Sequence, residues 1–144
     1  MDRGRLPPVT QLDLAASHLD RMRAHVESCL PLEACGLLAG TLSTVLQVIP
    51  VANAAHSPVR FQMEPREQLA ALDRIEAGGL ELLGIFHSHP DGPGAPSATD
   101  IAEAAYPVVY VIWWRPRGLW EARGFWIERE RLTDVKLHVV ADPA

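Results

Sequence analysis

The sequence predicts an α/β protein, and three of its features carry that expectation. Two short runs, LELLGIF (80–86) and VVYVIWW (108–114), are apolar on both strand faces, the pattern of strands covered on each side in the middle of a sheet. Two other stretches, 13–30 and 65–79, repeat apolar residues at helical spacing and stop at a proline or a glycine pair. Strand and helix patterns alternate along the chain, so helices should flank the sheet.

Taken in order, DLAASHLDRMRAHVESCL (13–30) places Leu14, Leu19, Met22, Val26 and Leu30 near helical spacing, and Pro31 stops the turn. An amphipathic first helix is expected there. His18 and His25 lie two turns apart on one side of it and read as solvated or packed histidines without a functional role. ACGLLAGTL (34–42) and TVLQVIPV (44–51) flank the turn at 40–43 and should pair as strands, and RFQM (60–63) reads as a further short strand. PREQLAALDRIEAGG has Pro65 at a first helical position, apolar residues at Leu69, Leu72 and Ile75, and a stop at Gly78-Gly79. After the buried run at 80–86, SATDIAEAAY (97–106) reads as a third helix. VVYVIWW is then another buried strand, with ARGFWIERE (122–130) and DVKLHVV (134–140) as two strands towards the sheet edge. Trp113 and Trp114 must point to opposite faces of their strand, and core packing accounts for most of the four tryptophans.

At 144 residues and 48% hydrophobic content, the chain fits one globular domain, 1–144, that buries about two-thirds of its unfolded surface. The net charge of −5, with basic residues scattered and no Lys/Arg block, lacks the footprint of a nucleic-acid binder. No run approaches the ~20 apolar residues of a membrane span, and MDRGRLPPVTQ has no apolar core of a secretory signal, so a soluble cytoplasmic protein is expected. Cys29 and Cys35 suit neither a disulfide framework nor a cysteine-based zinc site and read as two small buried thiols.

Chemistry concentrates in HSHPDGPGAPSATD (87–100). Side chains alternate along a strand, so His87 and His89 project to one side while Ser88 points away. Zinc accepts histidine nitrogen and carboxylate oxygen, and a catalytic site uses three protein ligands with a fourth position kept for water. Asp100 is the natural third ligand, because the loop at 90–96, with five Gly or Pro in seven positions, can turn the chain back over the strand end. Ser97-x-x-Asp100 also fits a helix N-cap with an acid at the third helical position, which by itself needs no function. Such a site further requires a base for the water. Of eighteen acids, Glu33 stands out at the head of the apolar stretch EACGLLAG, where a solvated-face explanation is weakest.

Glu33, then His87-Ser88-His89-Pro90, seven residues, and Ser97-x-x-Asp100 resemble the motif of the JAMM (MPN-plus) metallopeptidases, with every position filled. The resemblance runs over roughly 12–140, includes PLEACGLLAG, SPVRFQMEPREQL and ELLGIFHSHPDGP, and is strongest to the small prokaryotic members. It implies the MPN fold, a mixed β-sheet between helices similar to that of cytidine deaminases. It also implies one zinc ion per chain on His87, His89 and Asp100, with Glu33 as general acid and base and Ser97 as a donor to the oxyanion. Deaminases themselves need a Pro-Cys-x-x-Cys segment that neither cysteine offers. The implied reaction is hydrolysis of a peptide or isopeptide bond without a covalent intermediate. The implied partner is a ubiquitin-like or sulfur-carrier protein ending in Gly-Gly, since 144 residues leave little room for the insertions that grip ubiquitin chains in eukaryotic members. Two rivals stand beside this reading: a metal-free interaction scaffold of the same family type, and a zinc hydrolase of small amides or short peptides. Cys35, two residues from Glu33, is expected to pack beneath the sheet, and the sequence leaves room for an oligomer.

Overall fold

Apolar residues on both faces of the run before His87 put that run at the centre of the sheet. The structure, a computed structural model, describes residues 9–142. Its strands are β1 Gln11–Ala15, β2 Cys35–Thr41, β3 Thr44–Val51, β4 Glu81–His89, β5 Val109–Trp114, β6 Glu121–Glu128 and β7 Arg131–Val140. Its α-helices are α1 Ala16–Ser28, α2 Pro65–Ala77 and α3 Ala98–Ala102. The strands order as β1-β3-β2-β4-β5-β6-β7 and close into a barrel through a parallel pairing of β7 with β1. β4 runs antiparallel to β2 and parallel to β5, so the sheet is mixed, as expected.

Alternation along β4 feeds two cores. Phe86 joins Leu14, Leu38, Val111, Trp113 and Trp126 in one, against which α1 packs Met22 and Val26. Ile85 joins Leu37, Ile49, Val51 and Tyr110 in the other, covered by Ala71 and Ile75 of α2. Each such apolar side chain taken fully from water contributes about 1.5–3 kcal/mol, so the centre of β4 is a rigid base for the histidines at its end.

The ends of the expected elements shift for identifiable reasons. Residues 11–15 form a strand rather than the start of a helix, because Leu12 and Leu14 are buried while Gln11 and Asp13 between and before them are not, a period of two. This strand pairs with β7 from Gln11 opposite Lys136 to Ala15 opposite Val140, so β7 is not at an edge. His18 has a local task at the junction: its Nδ1 accepts from the Ala15 N–H at 3.0 Å and caps α1. His25 Nε2 lies 3.0 Å from the Cys35 carbonyl and fixes the helix against β2. In α2, Ala71 and Ile75 face inward, whereas Leu69, two residues off that stripe, is 62% exposed. The third helix is a single turn rather than ten residues, since Tyr110 Oη bonds the backbone of Tyr106 and Pro107 disfavours a helical residue before it.

RFQM is not a strand. Among the described residues it contributes only the bridge of Met63 to Asn53, because the Asn53 side chain takes the Arg60 carbonyl and the Gln62 N–H that a ladder would have used. Trp113 and Trp126 point into the first core, while Trp114 packs on the loop after β4. A Cβ on Gly94 would lie 2.5 Å from the Trp114 ring, so glycine is required for that approach. None of the described helices is long and apolar enough to cross a membrane.

Candidate active site

The buried polar side chains among the described residues are Glu33, His87, Ser88 and His89, each 5% exposed or less, and all four meet at the end of β4. Strand alternation separates their tasks as the sequence indicated. Ser88 turns away from the histidines, its Oγ accepting from Ala34 N at 2.8 Å while its N–H donates to the Ala34 carbonyl at 3.0 Å. That pair ties the segment before β2 to the end of β4 and sets Glu33 beside the histidines. His87 and His89 share the other side, with Nε2 atoms 3.1 Å apart.

The loop after β4 closes the site from above. His89 Nδ1 lies 2.7 Å from the Pro93 carbonyl, and Arg115 Nε donates to the Pro90 carbonyl at 3.4 Å. The chain then enters α3 through a capping box: Ser97 Oγ accepts from Asp100 N at 3.0 Å, and Ser97 N donates to Asp100 Oδ2 at 2.8 Å. The cap and the ligand reading coexist. The same Oδ2 lies 3.1 Å from His87 Nε2 and 3.0 Å from His89 Nε2.

Whether a metal fits can be tested on hydrogen-bond chemistry. A carbonyl only accepts, so His89 Nδ1 carries the proton and the neutral ring presents a lone pair at Nε2. In the neutral ring that lone pair faces a carboxylate oxygen at 3.0 Å, an approach of two acceptors that is relieved either by a second proton on the ring or by a metal ion held by both. Ligands about 2.0–2.1 Å from a tetrahedral zinc stand roughly 3.3 Å from one another, close to the separations here. Ligand atoms of Glu33, His87 and His89 also lie within 4.8 Å of one another. The residues present therefore fit a metal ion with nitrogen and carboxylate donors.

Electrostatics divide the two carboxylates. Burial pushes Glu33 up to about 8, with His89 offsetting part of the rise, and its Oε1 is enclosed without a hydrogen-bond partner. Burial would raise Asp100 as well, but its hydrogen bonds to His87 and His89 outweigh that and hold it well below the usual carboxylate range. Burial lowers His87; at His89 the same effect is overcome by Asp100 and the Pro93 carbonyl, and the ring is raised.

Several partners had no signal in the sequence. Phe61 stacks on His87 with ring centroids 4.5 Å apart and planes at 27°, while His87 Nδ1 has no hydrogen-bond partner. Asn53 acts through its side-chain amide on the Glu33 carbonyl, and Ser57 and Pro93 through their own carbonyls, contacts that no spacing reveals. Beside the site a cavity of about 400 Å³ opens between Phe61, Met63, Ile85, Tyr106 and Tyr110. Cys35 lies outside it, fully buried in the second core with its thiol pushed up to about 12 by burial, whereas Cys29 is only half-buried.

The family described as prokaryotic homologs of the JAB domain matches residues 15–127. The chain belongs to that family. A desampylase of Pyrococcus furiosus is 38% identical over 125 residues, covering 85% of this chain and 86% of its own length. A Thermus thermophilus relative named "Probable TtuB-protein conjugate cleaving protease" is 45% identical over 95 residues, 65% of this chain and 64% of that one. Among solved structures, a JAB1/MPN domain protein from Archaeoglobus fulgidus superposes with a TM-score of 0.59 over 91% of this chain and 99% of that one, at 19% identity, a likeness of fold. The JAB/MPN fold expected from the motif is therefore the fold observed.

Proposed function

We propose that this JAB-family chain is a zinc-dependent isopeptidase that hydrolyses the amide bond after the C-terminal Gly-Gly of a ubiquitin-like or sulfur-carrier protein. One observation carries the chemistry: two histidine nitrogens and one carboxylate oxygen converge within 3.1 Å, with the unpartnered carboxyl of Glu33 beside them. The names of the relatives, a desampylase and a conjugate-cleaving protease, support the substrate class.

In this reading His87, His89 and Asp100 hold one zinc ion per chain. Zinc bound there supplies a Lewis acid for the scissile carbonyl and draws the pKa of a water towards about 7. Glu33 takes one proton from the attacking water and returns it to the leaving nitrogen, so that a carbon–oxygen bond forms, the carbon–nitrogen bond breaks, and acid and amine depart. Its burial suits it to hold that proton in between. Ser97 Oγ spends a lone pair on the Asp100 N–H and keeps its own hydroxyl proton for the oxygen of the tetrahedral intermediate. The Pro93 carbonyl keeps the proton of His89 on Nδ1, which leaves Nε2 free to bind metal.

Sheet closure bears on how a carrier tail arrives. With β7 paired to β1, a tail has no outermost β7 edge to extend, whereas β3 meets β1 only at Thr44 opposite Asp13. Two free cysteines and no described helix suited to a membrane fit a cytoplasmic setting. A hydrolase of short peptides is the second reading, favoured by the cavity of about 400 Å³ beside His87 and Asp100. The experiment is to compare kcat/KM for a carrier conjugate and for its isolated Gly-Gly tail peptide. A much faster conjugate supports the carrier reading, because remote contacts help order the tail. Equal values would leave the short-peptide hydrolase.

A further inference from the structure

Glu33 precedes β2 and belongs to no strand, so no ladder fixes its backbone. A side chain that handles a proton must nevertheless be held to within about 0.5 Å of its productive position. Its carboxyl is not the part that is held, since Oε1 has no partner. The main chain is. Glu33 N–H donates to the Ser57 carbonyl at 2.9 Å, and the Glu33 carbonyl accepts from Asn53 Nδ2 at 3.0 Å.

Asn53 does more than touch Glu33. Its Nδ2 also donates to the Arg60 carbonyl at 3.1 Å, and its Oδ1 accepts from Ala55 N at 2.9 Å and Gln62 N at 3.0 Å. Both amide protons and both lone pairs are thereby used, which is the whole capacity of the group. Those bonds close the 53–62 loop on itself and bolt it to Glu33. The same loop carries Phe61, whose ring stacks on His87. One side chain thus ties the backbone of the acid to the loop that braces a histidine of the site.

We infer that Asn53 is a positioning residue for Glu33, aiming its carboxyl through the backbone bond and the closed loop. The inference rests on the reading of Glu33 as the proton carrier. Asparagine is specifically suited: aspartate has no N–H to donate, and glutamine places the amide one methylene too far.

Asn53→Asp is the informative variant because it preserves the shape and the two acceptor bonds to Ala55 and Gln62 while removing both donors. The expected result on a carrier conjugate is a 10- to 100-fold fall in kcat with KM and zinc content unchanged. Amide exchange should quicken at Glu33 and across 53–62 and stay unaltered in the strands. In a Glu33→Gln background the same change should cost nothing further, since the residue through which it acts has already been removed. Wild-type kcat in Asn53→Asp would overturn the inference. So would an equal fractional loss in the Glu33→Gln background, or a loss wholly explained by departed zinc. If the wild-type chain cleaves no conjugate, the isopeptidase reading fails separately, and exchange at Glu33 decides the clamp: unchanged exchange in Asn53→Asp refutes it.

Discussion

Phe61 lies over His87 at 4.5 Å, and this contact does for one histidine what a carbonyl does for the other. His89 is oriented by its Nδ1 bond to Pro93, whereas His87 Nδ1 has no partner and, apart from the contacts of Nε2 at the site, the ring is braced by the stack of Phe61. Groups that orient a metal ligand typically alter metal affinity by 10- to 100-fold when removed. Phe61→Ala should therefore weaken zinc binding by about 10-fold while Phe61→Tyr, which keeps the stack, stays near wild type. Competition with a zinc chelator measures this. Equal affinity in Phe61→Ala and wild type would show that packing within β4 orients His87 without help.

Asp100 serves cap and site with one carboxylate, and the two tasks can be separated. Asp100→Asn keeps an acceptor for the Ser97 N–H but removes the negative charge between the histidines. The helix turn should survive and zinc content should fall from about one per chain to a small fraction. Elemental analysis with circular dichroism reads both. Full zinc in a folded Asp100→Asn chain would move the third ligand elsewhere, with Glu33 as the nearest candidate given its place in the cluster.

The elements that carry the site were largely legible in the sequence, and the contacts that aim it were not. LELLGIF announced a central strand because burial on both faces leaves an unbroken apolar run, and alternation then placed His87 and His89 together. β1 was missed because Leu14 also falls in phase with the helix after it, so a period of two was absorbed into one of 3.6. RFQM looked like a strand because its composition suits one. Its backbone partners are instead taken by Asn53, seven and nine residues away from the Arg60 and Gln62 groups it binds. Side chain to backbone bonds of that kind depend on where the chain has folded, and leave no periodic trace.

The two cysteines should differ sharply in reactivity. Cys35 is fully buried, bonds the Val51 carbonyl, and has its thiol pushed up to about 12, so at pH 8 it stays protonated as well as enclosed. Cys29 is half-buried at the end of α1. Iodoacetamide at pH 8 should alkylate the native chain once, at Cys29, and a second time only after denaturation. Peptide mapping that finds Cys35 labelled in the folded protein would contradict its place in the core.

The central claim is that His87, His89, Asp100 and Glu33 together cut an amide after a carrier's Gly-Gly. Intact-mass spectrometry tests it most directly, on a carrier conjugate incubated with the zinc-loaded chain, with the chelated chain, and with Glu33→Gln. The account predicts that the zinc-loaded chain releases a carrier ending in Gly-Gly, one water heavier than the acyl group it came from. It predicts no release by the chelated chain, and release slowed at least about 100-fold in Glu33→Gln at unchanged zinc content. Release that persists at the wild-type rate in Glu33→Gln, or after chelation, would contradict it.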